Sequence, residues 1–199
     1  MPTSRDLESD TFHEPSGNAT GSWLVWTGVV SISVGLVGLI IGAPLAQSSG
    51  HEAIGFTIYR AFSYLCHQLP ERSFYLAGHQ FAVCARCTGL YVGFAAASLV
   101  YPLFRSLKRT DTPARRWLLL AAAPMVIDVG LDMLGIWKNT HLSRLMTGLL
   151  LGSVAAIYVI PGLIDLLNFD WRRFRMRRPA EAAAVTTSAP RTSAQVSGK

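Results

Sequence analysis

Four long apolar blocks, separated by short polar segments, dominate the chain. Trp23 to Ala46 runs 24 residues without a charge, enough to cross a hydrocarbon core of about 30 Å at about 1.5 Å per residue. Thr88 to Phe104 is a second, shorter block, Trp117 to Ile136 a third that carries Asp128 and Asp132, and Leu145 to Leu167 a fourth with Asp165 near its end. The pattern predicts four transmembrane helices. Between the first two blocks, Ile54, Ile58, Phe62 and Leu65 recur at near-helical spacing, with Glu52 and Arg60 elsewhere on the wheel. This predicts an amphipathic helix over 51–65 lying in the membrane interface. Pro70 ends any helix there, and the stretch ERSFYLAGHQF is too short and mixed to form a domain. The expected fold is all-α: an integral membrane four-helix bundle with an additional interfacial amphipathic helix.

Composition agrees, with half of the 199 residues hydrophobic and 15% charged. The first block reads as an uncleaved helix rather than a secretory signal, because 22 polar residues with Arg5 as their one cation precede it and the apolar run is too long. Gly38 with Gly42, and Gly148 with Gly152, form GxxxG spacings whose usual use is close helix packing. The polar tails, residues 1–22 and the basic residues 168–199, lack a core-forming pattern and read as disordered, flanking a membrane domain over 23–167.

Cations set the expected orientation. Arg105, Lys108, Arg109, Arg115 and Arg116 crowd the connection between the second and third blocks, and Arg172, Arg173, Arg175, Arg177 and Arg178 follow the fourth. The positive-inside rule places both groups, and both termini, in the cytoplasm of a multi-pass cell-membrane protein. The segment from Gln47 to Cys87 then lies on the outer face. The net charge of +6 needs no nucleic acid; basic stripes over Arg105–Arg116 and Arg172–Arg178 suit anionic lipid headgroups.

Chemistry concentrates in that outer segment, where Cys66, Cys84 and Cys87, all the cysteines of the chain, fall within residues 66–87. Cys84 and Cys87 form a CxxC at a helix N-terminus, a position that favours thiolates. Three readings stay open. The cysteines and one imidazole make a Cys₃His site for zinc or another transition metal. Cys66, Cys84 and Cys87 are the expected ligands, and His67, His79 and His141 compete for the fourth place; His67 adjoins Cys66, which makes His79 or His141 geometrically easier, and the expected imidazole is His67 or His79, with His141 in a second cluster beside Asp132. Alternatively the Cys84/Cys87 pair serves thiol–disulfide exchange with Cys66 as resolving thiol. In the third reading the sulfurs only pack as small apolar groups.

Asp128 and Asp132 lie four residues apart, on one helix face, and carboxylates at membrane depth are costly. Asn139, His141 and Arg144 follow at the outer end. Either Asp132 pairs with Arg144 or Arg86 and Asp128 accepts a hydrogen bond from Ser153 or Thr147, or the two aspartates act as hard ligands, a proton relay or a cation site. Ion transport through them requires a homo-oligomer, since four helices are few for one transporter protomer. Arg86 and Arg72 beside thiolates stabilise them, hold a phosphate or carboxylate in a forked contact, or reach to headgroups.

The pieces CHQLPERSF, GHQFAVCARCTGLYVG and IDVGLDMLGIWKNTHLSRLMTGLLLG, over about residues 60 to 152, resemble a family of small prokaryotic integral membrane proteins classed as a domain of unknown function. The resemblance implies a multi-pass membrane protein. Its recurring residues include Cys66, His67, Gln68, Arg72, Ser73, Cys84, Arg86, Cys87, Thr88, Gly89 and Gly93, with weaker counterparts at Asp128, Asp132, Asn139, Arg144 and Gly148. It implies no activity. The placement of the CxxC is similar to that in membrane disulfide-generating oxidoreductases, but those use a second cysteine pair where this chain has Cys66 alone. Motifs of soluble hydrolases, kinases and dinucleotide enzymes are absent from the sequence.

Overall fold

The computed structural model describes residues 19–107 and 111–168. The tail expectations for 1–18 and 169–199, Lys108, Arg109 and the Arg172–Arg178 stripe lie outside the described residues. Five helices and one hairpin follow in chain order: α1 (Ala19–Ser48), α2 (Glu52–Ser63), β1 (Ser73–Leu76), β2 (His79–Cys84), α3 (Ala85–Phe104), α4 (Arg116–Met133) and α5 (His141–Asn168).

Among the described residues, α1, α3 and α5 are long and apolar enough to cross a membrane, with mean hydropathies of 2.3, 1.5 and 2.0. α4 falls short of that standard, because its 18 residues include Arg116, Asp128 and Asp132. The four expected blocks therefore become three candidate spans and one shorter, more charged helix. α1 starts at Ala19 rather than Trp23. α2 forms close to where the amphipathic pattern puts it and buries Phe62.

The all-α expectation needs a correction at ERSFYLAGHQF, which builds an antiparallel hairpin. Leu76 pairs with His79 across Ala77 and Gly78, whose φ angles of 51° and 82° are both left-handed, as the twist-matched two-residue hairpin turn requires. Ser73 sits opposite Cys84, with an irregularity in the register between Ser73 and Tyr75. The hairpin is held by the inner half of its second strand, which is shielded from solvent. Ala82 and Val83 are fully buried, in one cluster with Ile40 and Ala43 of α1, Phe62 of α2 and Cys66.

Glycines bring α3 and α5 together. A Cβ added at Gly148 would collide with the carbonyl oxygen of Arg86, and one at Gly152 with that of Leu90; from the other side, Gly89 and Gly93 face the carbonyls of Leu145 and Leu149. Two interlocked GxxxG spacings thus put backbone against backbone. By contrast, the identical spacing at Gly38 and Gly42 has nothing within 4 Å of either added Cβ, so it does not pack on another described helix. Ser153 Oγ adds a 3.2 Å bond to Gly93 O, and Trp26 Nε1 on α1 donates to Ser98 O of α3 at 2.8 Å.

Candidate metal centre

Cys84 closes β2 and immediately precedes α3, so the hairpin and the helix together fix its position. Cys87 lies in the first turn of α3, and Cys66 in the loop after α2 reaches back to them. The three Sγ atoms lie within 4.8 Å of one another, all are free thiols, and Cys66 Sγ accepts the Cys84 N–H at 3.3 Å.

Gln68 holds the returning loop. Its Nε2 donates to Tyr59 O of α2 and to Ala82 O of β2, both at 2.8 Å, and its backbone takes a φ of 51°. A left-handed conformation at a non-glycine residue persists only where neighbours enforce it. Tyr59 OH donates to Gln80 O, a second tie between α2 and the hairpin. Two residues after Cys66, this clamp sets where that thiol points.

The Cys84 sulfur is held as a thiolate, far below the ordinary thiol range. S–H donation from Cys66 is the main cause, then donation from Cys87; partial burial opposes this, and backbone N–H groups of Cys87 and Arg86 add to it. A deprotonated sulfur among convergent thiols suits a soft metal. Bonds of about 2.3 Å from zinc to sulfur in a tetrahedron set the sulfurs about 3.8 Å apart. The observed cluster needs little contraction to reach that spacing, so these three residues fit such an ion.

Two half-buried carboxylates engage the arginines near the cysteines. Asp128 Oδ2 pairs with Arg86 Nη2 at 2.5 Å, their side chains 11% and 17% exposed. Asp132 Oδ2 takes Arg144 Nη2 at 3.1 Å and Arg72 Nη2 at 3.7 Å. Asn139 Nδ2 donates to Asp128 O at 2.6 Å. These contacts fasten α4 to the starts of α3 and α5 and to the turn before β1. Among the described residues, buried Arg86 Nε, Arg144 Nε and Asn139 Oδ1 have no hydrogen-bond partner.

A cavity of about 390 Å³ opens beside the sulfurs; Cys66, Cys84 and Cys87 line it together with Arg72, Arg86 and Arg144. Among the described residues, His67 is the imidazole on its wall. No imidazole nitrogen joins the sulfurs within 4.8 Å. His79 is exposed at the turn end of β2, paired with Leu76. His141 stacks at 5.7 Å from the Phe74 ring and lines a different, shallower recess with Pro70 and Ser73. The structure therefore gathers the three cysteines, three arginines and His67 at one cavity and leaves His79 and His141 off its wall. The sequence assigned no role to Gln68 and did not pair Gly89 and Gly93 as the partners of Gly148 and Gly152; the four-residue spacing was the available signal for the glycines, and for the glutamine it was its place among the recurring residues of the family resemblance.

Comparison with known proteins bears on the same region. Residues 66–158 match the family described as predicted membrane protein (DUF2085). The chain is 32% identical over 114 residues to Uncharacterized protein MJ1492 of Methanocaldococcus jannaschii, covering 57% of this chain and 73% of that one. It is 38% identical over 96 residues to an uncharacterized protein of Methanothermobacter thermautotrophicus, covering 48% of this chain and 85% of the relative. No solved structure matches the chain.

Proposed function

This chain belongs to the DUF2085 membrane-protein family, and from that premise we propose that it works through a three-cysteine metal centre with an open fourth position at the outer membrane face. The observation that carries the reading is the convergence of the Cys66, Cys84 and Cys87 sulfurs within 4.8 Å from two separate stretches of backbone, the loop after α2 and the CxxC at the start of α3. Structural zinc sites are closed by four protein ligands, whereas reactive ones keep three and leave a position for water or substrate. Zinc or another thiophilic transition metal fills the site, with water or His67 as the fourth ligand. His79, expected alongside His67 as the imidazole, and His141, expected in a second cluster beside Asp132, are not part of this reading.

Charge balance supports it. A divalent ion on three thiolates carries one negative charge, and Arg72, Arg86 and Arg144 against Asp128 and Asp132 carry one positive. The loaded site is neutral as a whole, which a low-dielectric setting favours.

The topology belongs to the same proposal. α4 is a fourth crossing, its 18 residues spanning about 27 Å at about 1.5 Å each with its aspartates compensated by arginines. Both termini lie in the cytoplasm, as Arg105, Arg115 and Arg116 between α3 and α4 require under the positive-inside rule. The centre then faces outward, and the basic stretches meet anionic headgroups on the inner side. Cysteine labelling of intact cells with a membrane-impermeant maleimide tests the sidedness.

Metal content of the detergent-purified protein tests the centre. About one ion per chain is expected in the wild type and almost none in Cys84→Ser; an equal, low content in both overturns the reading. The low-pKa Cys84 thiolate flanked by two thiols favours one second reading, thiol–disulfide exchange through Cys84 and Cys87. Oxidation of that thiolate–thiol pair to a disulfide releases two electrons and one proton to an acceptor, and here Cys66 stands alone where a relay has a second pair. Alkylation with and without reductant separates the two, since a metal centre gives three reduced thiols in both. Transport through Asp128 and Asp132 gains no support from the geometry, because each carboxylate is already held by an arginine.

A further inference from the structure

The metal-centre reading takes its ligands from the sulfurs and uses the three guanidiniums that line the same cavity only for charge balance. Arg144 is 7% exposed, deep enough that an unpaired donor is costly. Yet its Nε, like that of Arg86, has no partner, while both side chains line the cavity. The third guanidinium, Arg72, stands at the solvent side, 47% exposed. It shares Asp132 with Arg144 through the longer of the two contacts, 3.7 Å against 3.1 Å. Two carboxylates thus serve three guanidiniums, which leaves the residues lining the cavity with a net positive charge.

Two apolar side chains complete the walls. Leu65 and Leu69 line the same cavity and are exposed at 69% and 40%, at the end of an amphipathic α2 that suits the membrane interface. The opening is therefore greasy at one lip and cationic within. At about 390 Å³ the cavity falls in the range of small-molecule sites, about 300–1,000 Å³.

We propose that this cavity binds a phosphate group, free or carried on a lipid, with Arg72, Arg86 and Arg144 as the donors. Guanidinium forks match the geometry of phosphate oxygens, and charge-assisted bonds of this kind are the strong ones. A phosphate satisfies donors that Asp128 and Asp132 leave over, and it sits beside the open coordination position, so the proposal names the ligand class of the metal-centre reading and rests on it for its mechanistic meaning. The apolar lip accommodates the acyl or prenyl part of a lipid phosphate.

The test uses the full-length protein in two forms. In detergent, inorganic phosphate is titrated calorimetrically; in nanodiscs of phosphatidylcholine with and without phosphatidic acid, phosphorus NMR reports an immobilised headgroup. Saturable binding in the first form identifies free phosphate as the ligand, and a protein-bound phosphatidic acid signal alone identifies the lipid; either supports the proposal. Arg72→Gln leaves Arg144 on Asp132, so the fold is retained, and it weakens binding about tenfold or more. Arg144→Lys keeps the charge against Asp132, loses the fork and weakens binding in the same direction. Absence of saturable binding in both forms, or unchanged binding in Arg72→Gln, overturns the proposal. Metal is measured on the same samples. A loaded metal centre without phosphate binding defeats this inference alone, and phosphate binding to a protein that takes up no metal defeats the metal-centre reading alone.

Discussion

A methyl group added at Gly148 has a different consequence from the same methyl at Gly42, although both glycines belong to GxxxG spacings in apolar helices. At 148 the new Cβ lands on the carbonyl oxygen of Arg86, with Leu90 N at 3.1 Å. These are backbone atoms of α3, so no rotamer change relieves the clash and the helices must separate. Overpacking of this kind costs about 1–3 kcal/mol, or a fall of several degrees in Tm at about 2–4 °C per kcal/mol for a chain of this size. Because Arg86 lies between Cys84 and Cys87, the displacement also reaches the sulfur cluster, and metal occupancy falls with stability. At 42 the methyl meets nothing within 4 Å, and exchange of glycine for alanine in an unencumbered helix is neutral or stabilising by up to about 1 kcal/mol. The assay is thermal unfolding of Gly148→Ala and Gly42→Ala in one detergent, with metal content measured alongside. Equal melting of the two variants would refute the α3–α5 contact and with it the route by which the cysteine turn is positioned.

Two further outcomes follow from the polar framework. Asp128→Asn leaves Arg86 charged and largely buried, and destabilises by about 3 kcal/mol, the lower end of the range for a broken buried pair since neither side chain is wholly enclosed; denaturant unfolding measures it, and a double replacement of Arg86 and Asp128 by Leu recovers most of the loss if the pair is the cause. Gln68→Ala removes two bonds from one side-chain amide, at about 1–3 kcal/mol, and frees the loop carrying Cys66. The metal-stripped variant then shows faster alkylation of Cys66 than the stripped wild type, while unchanged reactivity would mean that the clamp does not set the thiol.

Long uncharged runs made α1, α3 and α5 readable from sequence, because burial in lipid demands an unbroken apolar stretch and few soluble alternatives tolerate one. α4 was readable as a segment but not as a span of the same quality, since its charges matter only in relation to partners elsewhere. The hairpin was hidden. Its turn is Ala-Gly rather than a strong turn pair, and its stability comes from Ala82 and Val83 packing on α1 and α2, contacts no local pattern displays. The cysteine cluster was legible because the CxxC and the upstream thiol fall within residues 66–87, whereas the choice of imidazole was not, as it depends on how the loop from Cys66 to Arg72 folds back under the Gln68 clamp. The ion pairs show the same limit. Asp132 finds both Arg144 and Arg72 only after the glycine contacts have set α5 against α3, and of two equal GxxxG spacings one has a partner helix and one has none.

X-ray absorption at the metal edge of the purified, zinc-loaded protein addresses the three-cysteine centre most directly. The expected spectrum fits three sulfur ligands at about 2.3 Å and one nitrogen or oxygen at about 2.0–2.1 Å, with a sulfur lost in each of Cys66→Ser, Cys84→Ser and Cys87→Ser. A first shell holding two or fewer sulfurs, or a protein that emerges without stoichiometric metal, would contradict the account.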